Sequence, residues 1–138
     1  MSYVTDTRFA RVVNVPAAVQ ETELRRGRSL QIAQWRLELG QQLVLKSLCV
    51  HVVRILTPGV VPVYANTALG TASVGLYLDG ALTSPIAFAR TSAVGAVSAY
   101  PYATTLAITP GLYTVVVSNN TTNVDLAVCA SGVFRVFT

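Results

Sequence analysis

The chain is expected to be all-β, a single antiparallel β-sandwich preceded by an extended N-terminal arm. Two observations lead there. Apolar residues recur at period two in run after run, the spacing of strands with one buried face. Turn-forming clusters such as Pro58-Gly59, Asp79-Gly80, Pro110-Gly111 and Asn119–Asn123 separate those runs. With 138 residues and 52% hydrophobic content, one domain can bury roughly two-thirds of its unfolded surface and needs no staples.

The longest apolar stretch, LELGQQLVLKSLCVHVVRIL at 37–56, is read as the centre of the core. Leu43 and Leu45 alternate with Gln42, Val44 and Lys46. Past Ser47 the parity changes, and Leu48, Val50 and Val52 carry the pattern. A one-residue shift turns every following side chain to the other face. Either a bulge therefore sits near Ser47 or the second half is buried on both faces. Val50, Val52, Val53 and Ile55 are stiff at χ1, which disfavours a helix.

Residues 1–28 are assigned to the arm because they show no sustained period. A short strand around Phe9 to Val15 ends at Pro16. The following AAVQETELRR either makes two helical turns or orders only against a partner. The sandwich, residues 29–138, opens with SLQIAQWRLEL, a strand with an irregularity near Ala33 that should bury Trp35. After the central strand, VVPVY at 60–64 reads as an edge strand, since Pro62 cannot donate to a ladder. Ser73 to Leu78 is a strand, Asp79-Gly80 reverses the chain toward Pro85 to Ala89, and Thr105 to Ile108 follows a small-residue stretch. Tyr113 to Ser118 and Val124 to Ala130 are expected as a hairpin across NNTTN, and Ser131-Gly132 permits a last reversal or a bulge into VFRVF. The count of eight or nine strands at this spacing points to a jelly roll.

Composition excludes most chemistry. His51 is the one histidine and has no Cys, Asp or Glu at ligand spacing, so it is expected in the core or at an interface and no metal is anticipated. The six carboxylates are scattered, and Asp79 is explained by its turn. A glycosidase pair such as Glu38 with Asp125 would need a cleft that spacing does not indicate. GTASVG at 70–75 lacks the lysine and helix of a phosphate cradle. The protein is therefore expected not to be an enzyme and to need no cofactor. Cys49 and Cys129 lie inside apolar patterns and are expected as small buried hydrophobes. Asn119 to Thr122 contains formal glycosylation acceptors but is read as a turn. No apolar run is long enough to span a bilayer, and MSYVTDTRFARVV is not a secretion signal.

Charge is sparse, 12% of residues with a net +4, and it is uneven. Arg8, Arg11, Arg25, Arg26, Arg28 and Arg36 place six of the ten basic residues within the first 36 positions. That asymmetry asks for an acidic partner at this end. Arg25-Arg26-Gly27-Arg28 lacks the interleaved aromatics of a nucleic-acid tether, so a protein surface is expected and nucleic acid is not. The Val and Leu excess, with so little charge, predicts a homotrimer that hides apolar surface.

A basic, weakly patterned first segment, then LELGQQLVLKSLCVHVV, then short Ser/Thr/Ala/Gly-rich strands, then GLYTVVVSNNTTNVDLAVCASGVFRVF make the chain resemble the capsid cement or decoration proteins of tailed bacteriophages. The likeness is greatest to the jelly-roll cement proteins of cyanophages. It covers the whole chain in layout and rests on pattern, with no invariant motif. The resemblance implies a structural virion protein on the outer capsid surface, made in the host cytoplasm and stabilising contacts between major capsid protein subunits. It also implies a trimer whose arm reaches across those subunits, with Arg8, Arg11, Arg25, Arg26 and Arg28 as shell contacts. The rival is a receptor- or carbohydrate-binding head of a phage tail fibre, whose sugar sites would draw on Tyr64, Tyr100 and Tyr102.

Overall fold

Why the apolar runs fall on two different sheets is visible in the computed structural model, which describes residues 10–15, 22–64, 69–79, 85–91, 95, 97–99, 106–107 and 109–137. Ten strands form, and there is no α-helix among the described residues. They are β1 (Ala10–Val15), β2 (Thr22–Leu24), β3 (Ser29–Leu37), β4 (Gln42–Ile55), β5 (Ala72–Leu78), β6 (Ala87–Thr91), β7 (Val97–Ala99), β8 (Leu106–Ala107), β9 (Gly111–Asn119) and β10 (Leu126–Phe137). One sheet runs β1-β10-β4-β7, with β2 also on β10 and β8 also on β4; the other runs β3-β9-β5-β6. All pairings are antiparallel.

β1 and β2 share one edge of β10, and β7 and β8 share one edge of β4, so the ten strands occupy eight positions. The chain crosses between sheets at β2–β3, β3–β4, β4–β5, β6–β7, β8–β9 and β9–β10. Two four-position sheets connected in this way are a jelly roll. Stretches 10–15 and 22–24, within the segment expected as an arm, hydrogen-bond to β10. The helical alternative for AAVQETELRR, 17–26, does not hold where it is described, since Thr22–Leu24 is a strand paired with β10 and a turn follows it; residues 17–21 and the reversal at Gly80 lie outside the described residues.

The parity change in β4 is a bulge. Val133 and Phe134 are adjacent in β10, whereas their partners Ser47 and Leu45 are two apart, leaving Lys46 extra. Leu43, Leu45, Leu48, Val50 and Val52 thus all face inward and are buried. A second shift leaves Val53 extra, and a third, in β3, lies between Gln31 and Ala33. Trp35 stacks on its β9 partner Tyr113 within one sheet, with ring centroids 6.2 Å apart and 16° between planes, and tilts against Phe134 of the other sheet at 4.9 Å. The indole N–H of Trp35 is buried without an acceptor among the described residues.

Three sequence expectations are corrected. Residues 60–64 form no strand: Tyr64 makes an isolated bridge to Thr121, while Val61 and Val63 stand exposed. β9 and β10 are not a hairpin but lie in different sheets, because residues 120–125 carry the chain across the sandwich. Ser131-Gly132 is no reversal, since β10 runs on to Phe137.

Candidate partner interface

The β2–β3 turn, the β4–β5 connection and the β9–β10 connection lie at one end of the sandwich, and side-chain hydrogen bonds from the Asn/Thr-rich segment 119–125 join them. Asn119 is the centre. Its Nδ2 donates to the carbonyls of Leu24 and Val124, both at 2.9 Å, and its Oδ1 accepts from the Thr121 N–H at 3.0 Å. Thr121 Oγ1 lies 2.7 Å from Asn119 Oδ1 and 2.9 Å from the Val124 carbonyl, sharing one hydrogen between them. The backbone N–H of Asn119 donates to the Arg28 carbonyl at 2.9 Å, tying β9 to the arginine turn. Asn119 and Asn120 are 1% and 8% exposed. Both formal glycosylation acceptors are therefore structural amides, as the turn reading expected.

The same segment displays the two valines. The Thr122 N–H donates to the Val63 carbonyl at 2.7 Å. Asn123 accepts the Val63 N–H through Oδ1 at 2.8 Å and donates Nδ2 to the Val61 carbonyl at 2.6 Å. Side-chain amides satisfy backbone groups that a neighbouring strand would otherwise take. Val61 and Val63 are left 79% and 54% exposed. Sequence reading missed them as a surface because the Pro62 rule explained their isolation as an edge strand.

Arg25, Arg26 and Arg28 are exposed in the β2–β3 turn at this end. Arg26 meets Asp125, its backbone N–H at 3.0 Å and its Nε at 3.4 Å from the same carboxylate oxygen. The Arg26 backbone N–H, ahead of its guanidinium, holds the Asp125 carboxyl below the usual carboxylate range. Arg25 and Arg28 have no ion-pair partner among the described residues. Arg11 lies in β1 opposite Val136, ten β10 residues from the Leu24–Leu126 pair, or about 33 Å along the strand. The structure therefore groups Arg25, Arg26 and Arg28 and sets Arg11 toward the other end; Arg8 lies outside the described residues.

Other candidates resolve plainly. Glu38, in the β3–β4 turn, and Asp125 lie at opposite ends of the sandwich. His51 is half-buried on the outer face of its sheet, opposite Cys129, and no metal-holding group of His, Cys, Asp or Glu occurs among the described residues. Cys49 and Cys129 form no disulfide and are half-buried on that face rather than buried in the core, and burial raises the Cys49 thiol above its ordinary pKa. Tyr64 is half-buried, while Tyr100 and Tyr102 lie outside the described residues.

The fold and this end together define a jelly-roll β-sandwich presenting a cationic, partly apolar tip. No protein-family model matches the chain, and no curated protein matches it. Among solved structures it is similar to a chain in the structure of infectious bursal disease virus, Gt strain, with TM-score 0.53 and 12% identity over 93% of this chain and 32% of that one. A mutant VP2 protein of infectious bursal disease virus, from derived T=1 particles, matches at TM-score 0.47 and 11% identity over 93% of this chain and 31% of that one. The chain spans about a third of the length of these chains.

Proposed function

We propose that the protein is a structural component of a virus particle, a cement or decoration protein that binds the outer surface of a bacteriophage capsid and stabilises contacts between major capsid protein subunits. The observation that carries this reading is the arginine turn beside Val61 and Val63 at one end of a jelly roll. Two exposed valines can exclude water at a contact, and two arginines without ion-pair partners among the described residues supply planar donor forks that suit carboxylates on an opposing protein. The jelly-roll likeness to a chain of a virus particle supports the setting; fold alone does not assign a role. The protein acts by binding, as a homotrimer, with Arg25, Arg26 and Arg28 toward the shell; Arg11, toward the other end of β10, and Arg8 before it would need a second shell contact.

The test is the triple variant Arg25→Ala/Arg26→Ala/Arg28→Ala. Deleting residues 1–28 is a poorer experiment because it would strip two strands from β10. The Arg26–Asp125 pair is exposed, and such pairs contribute about 0 to 1 kcal/mol, so the melting temperature should hardly move. Attachment to purified shells should weaken, and wild-type attachment should fall as salt rises. Unchanged shell occupancy by the triple variant, or attachment indifferent to salt, would remove this end from the binding model.

A further inference from the structure

The outer face of the β3-β9-β5-β6 sheet carries a recess that the charged end does not use. One row across that sheet, set by register, reads Ser29 in β3, Ser118 in β9, Ser73 in β5 and Arg90 in β6. Next along β5 is Gly75, and then Tyr77, whose ring lies back over the glycine. A Cβ at position 75 would sit 2.7 Å from the Tyr77 hydroxyl oxygen, so only glycine leaves room for the ring to lie flat. Between this ring and the serine row is a pocket of about 210 Å³, lined by Ser29, Leu69, Ser73, Tyr77, Val116, Ser118 and Asn120. Arg90 ends the row outside it, and no charged side chain lines it.

The polar groups here are not fully used by the fold. Tyr77 is 7% exposed, yet its hydroxyl makes no hydrogen bond to a described residue. Ser29 and Ser118 lie with their hydroxyl oxygens 2.8 Å apart, which uses one hydrogen and leaves the other. Ser73, 3% exposed, accepts from Asn120 Nδ2 at 3.1 Å and keeps its own hydrogen. Asn120 spends Nδ2 on Ser73 and on the Leu69 carbonyl, leaving Oδ1 without a bond among the described residues. Trp35 Nε1 is the one fully buried side-chain polar atom without a partner among the described residues, so the unspent groups here are open to solvent and to whatever enters the recess.

We infer that this pocket is a carbohydrate subsite that takes one neutral sugar ring. Several uncharged groups, each able to donate, accept or do both, match the adjacent hydroxyls of a sugar. The Val116 side chain and the Tyr77 ring give its C–H face an apolar wall. Absence of charge in the lining disfavours a phosphate or a metal ion, and the mixed lining disfavours a purely apolar ligand. The volume is below the ~300–1,000 Å³ of sites for drug-sized ligands, which fits a single ring. The pocket lies at the same end of the sandwich as the arginine turn, through Ser29 and Asn120, but none of the arginines lines it, so sugar binding and attachment to a capsid can be tested separately.

The experiment is a titration of the isotopically labelled full-length protein with glucose, galactose, mannose and N-acetylglucosamine in turn, followed by amide chemical shifts. At least one sugar should shift Ser29, Ser73, Tyr77, Ser118 and Asn120 together, with millimolar affinity. Tyr77→Phe keeps the ring and removes only the hydroxyl, and Ser118→Ala removes one lining hydroxyl. Each should weaken that binding about tenfold, as expected for one lost hydrogen bond. The triple arginine variant should bind the sugar as wild type does. No shift with any of the four sugars, shifts confined to other residues, or wild-type affinity in both pocket variants would overturn the inference.

Discussion

Trp35 shows how a residue legible in sequence acquires a cost visible only in three dimensions. Its burial follows from the alternation Ala33, Trp35, Leu37; its unpaired indole N–H follows from having Tyr113 and Phe134 as neighbours. Trp35→Ala should destabilise by about 3 to 5 kcal/mol through lost burial and the cavity left behind. Trp35→Phe should cost far less, because it removes a desolvated donor along with some area. Denaturant unfolding of both variants checks the pair, and solvent-exposed fluorescence from folded wild type would contradict the placement. Asp125 was legible only as an isolated carboxylate. In the fold its carboxyl is held below the ordinary value near 3.8, first by the Arg26 backbone N–H. Its contribution to stability is therefore present above that value and is lost as pH falls through the lower, folded-state pKa. Asp125→Asn should flatten the acid limb of a melting-temperature profile below about pH 4, whereas Arg26→Ala should retain most of it because the backbone donor remains.

At the scale of elements, β4 was readable in detail and its neighbours were not. The parity change left a bulge near Ser47 or burial on both faces as the options, and the register shows the bulge, with Lys46 the extra residue. Deleting Lys46 would make the pairing with β10 regular while leaving Leu43, Leu45, Leu48, Val50 and Val52 facing inward. Deleting Cys49 would instead turn one half of the strand's core residues outward. The Lys46 deletion should stay folded with a cooperative melt, and the Cys49 deletion should not, as circular dichroism and thermal unfolding would show. The hairpin assigned across NNTTN failed for a definable reason. Alternation on both sides of a turn is the same whether the strands pair with each other or face each other across a core. Only the hydrogen bonds of Asn119 and Asn120 to Leu24, Val124, Leu69 and Ser73 reveal a connector that crosses the sandwich.

For the whole molecule, the sparse charge predicted covered surface, and the fold shows where exposed apolar groups stand. Val61 and Val63 are at the arginine end, while Leu39, 88% exposed, is in the β3–β4 turn at the other. A closed ring of copies would hide such groups, and light scattering at micromolar concentration should return a trimer mass. A monomer that binds no hydrophobic dye would count decisively against this assembly. The candidate site was half legible: the crowding of Arg25, Arg26 and Arg28 announced a surface cluster, because unpaired guanidinium groups are too costly to bury. Nothing local announced Val61 and Val63 beside it, since residues 61 and 123 meet only through the fold.

The amino-acid sequence by itself determined the all-β class, the inward face of each long strand, the parity change in β4 and the surface position of the arginine turn. All of these follow from side-chain period and from the cost of burying charge, which act over a few neighbouring residues. The tertiary structure alone decided which strands share a sheet, that Asn119 welds one end, that Val61 and Val63 stand beside the arginines, and that Ser29, Ser118 and Ser73 align beside Tyr77. Those are matters of register between segments as far apart in the chain as Ala10 and Phe137, and register is set by the packing of the two sheets together rather than by any one strand.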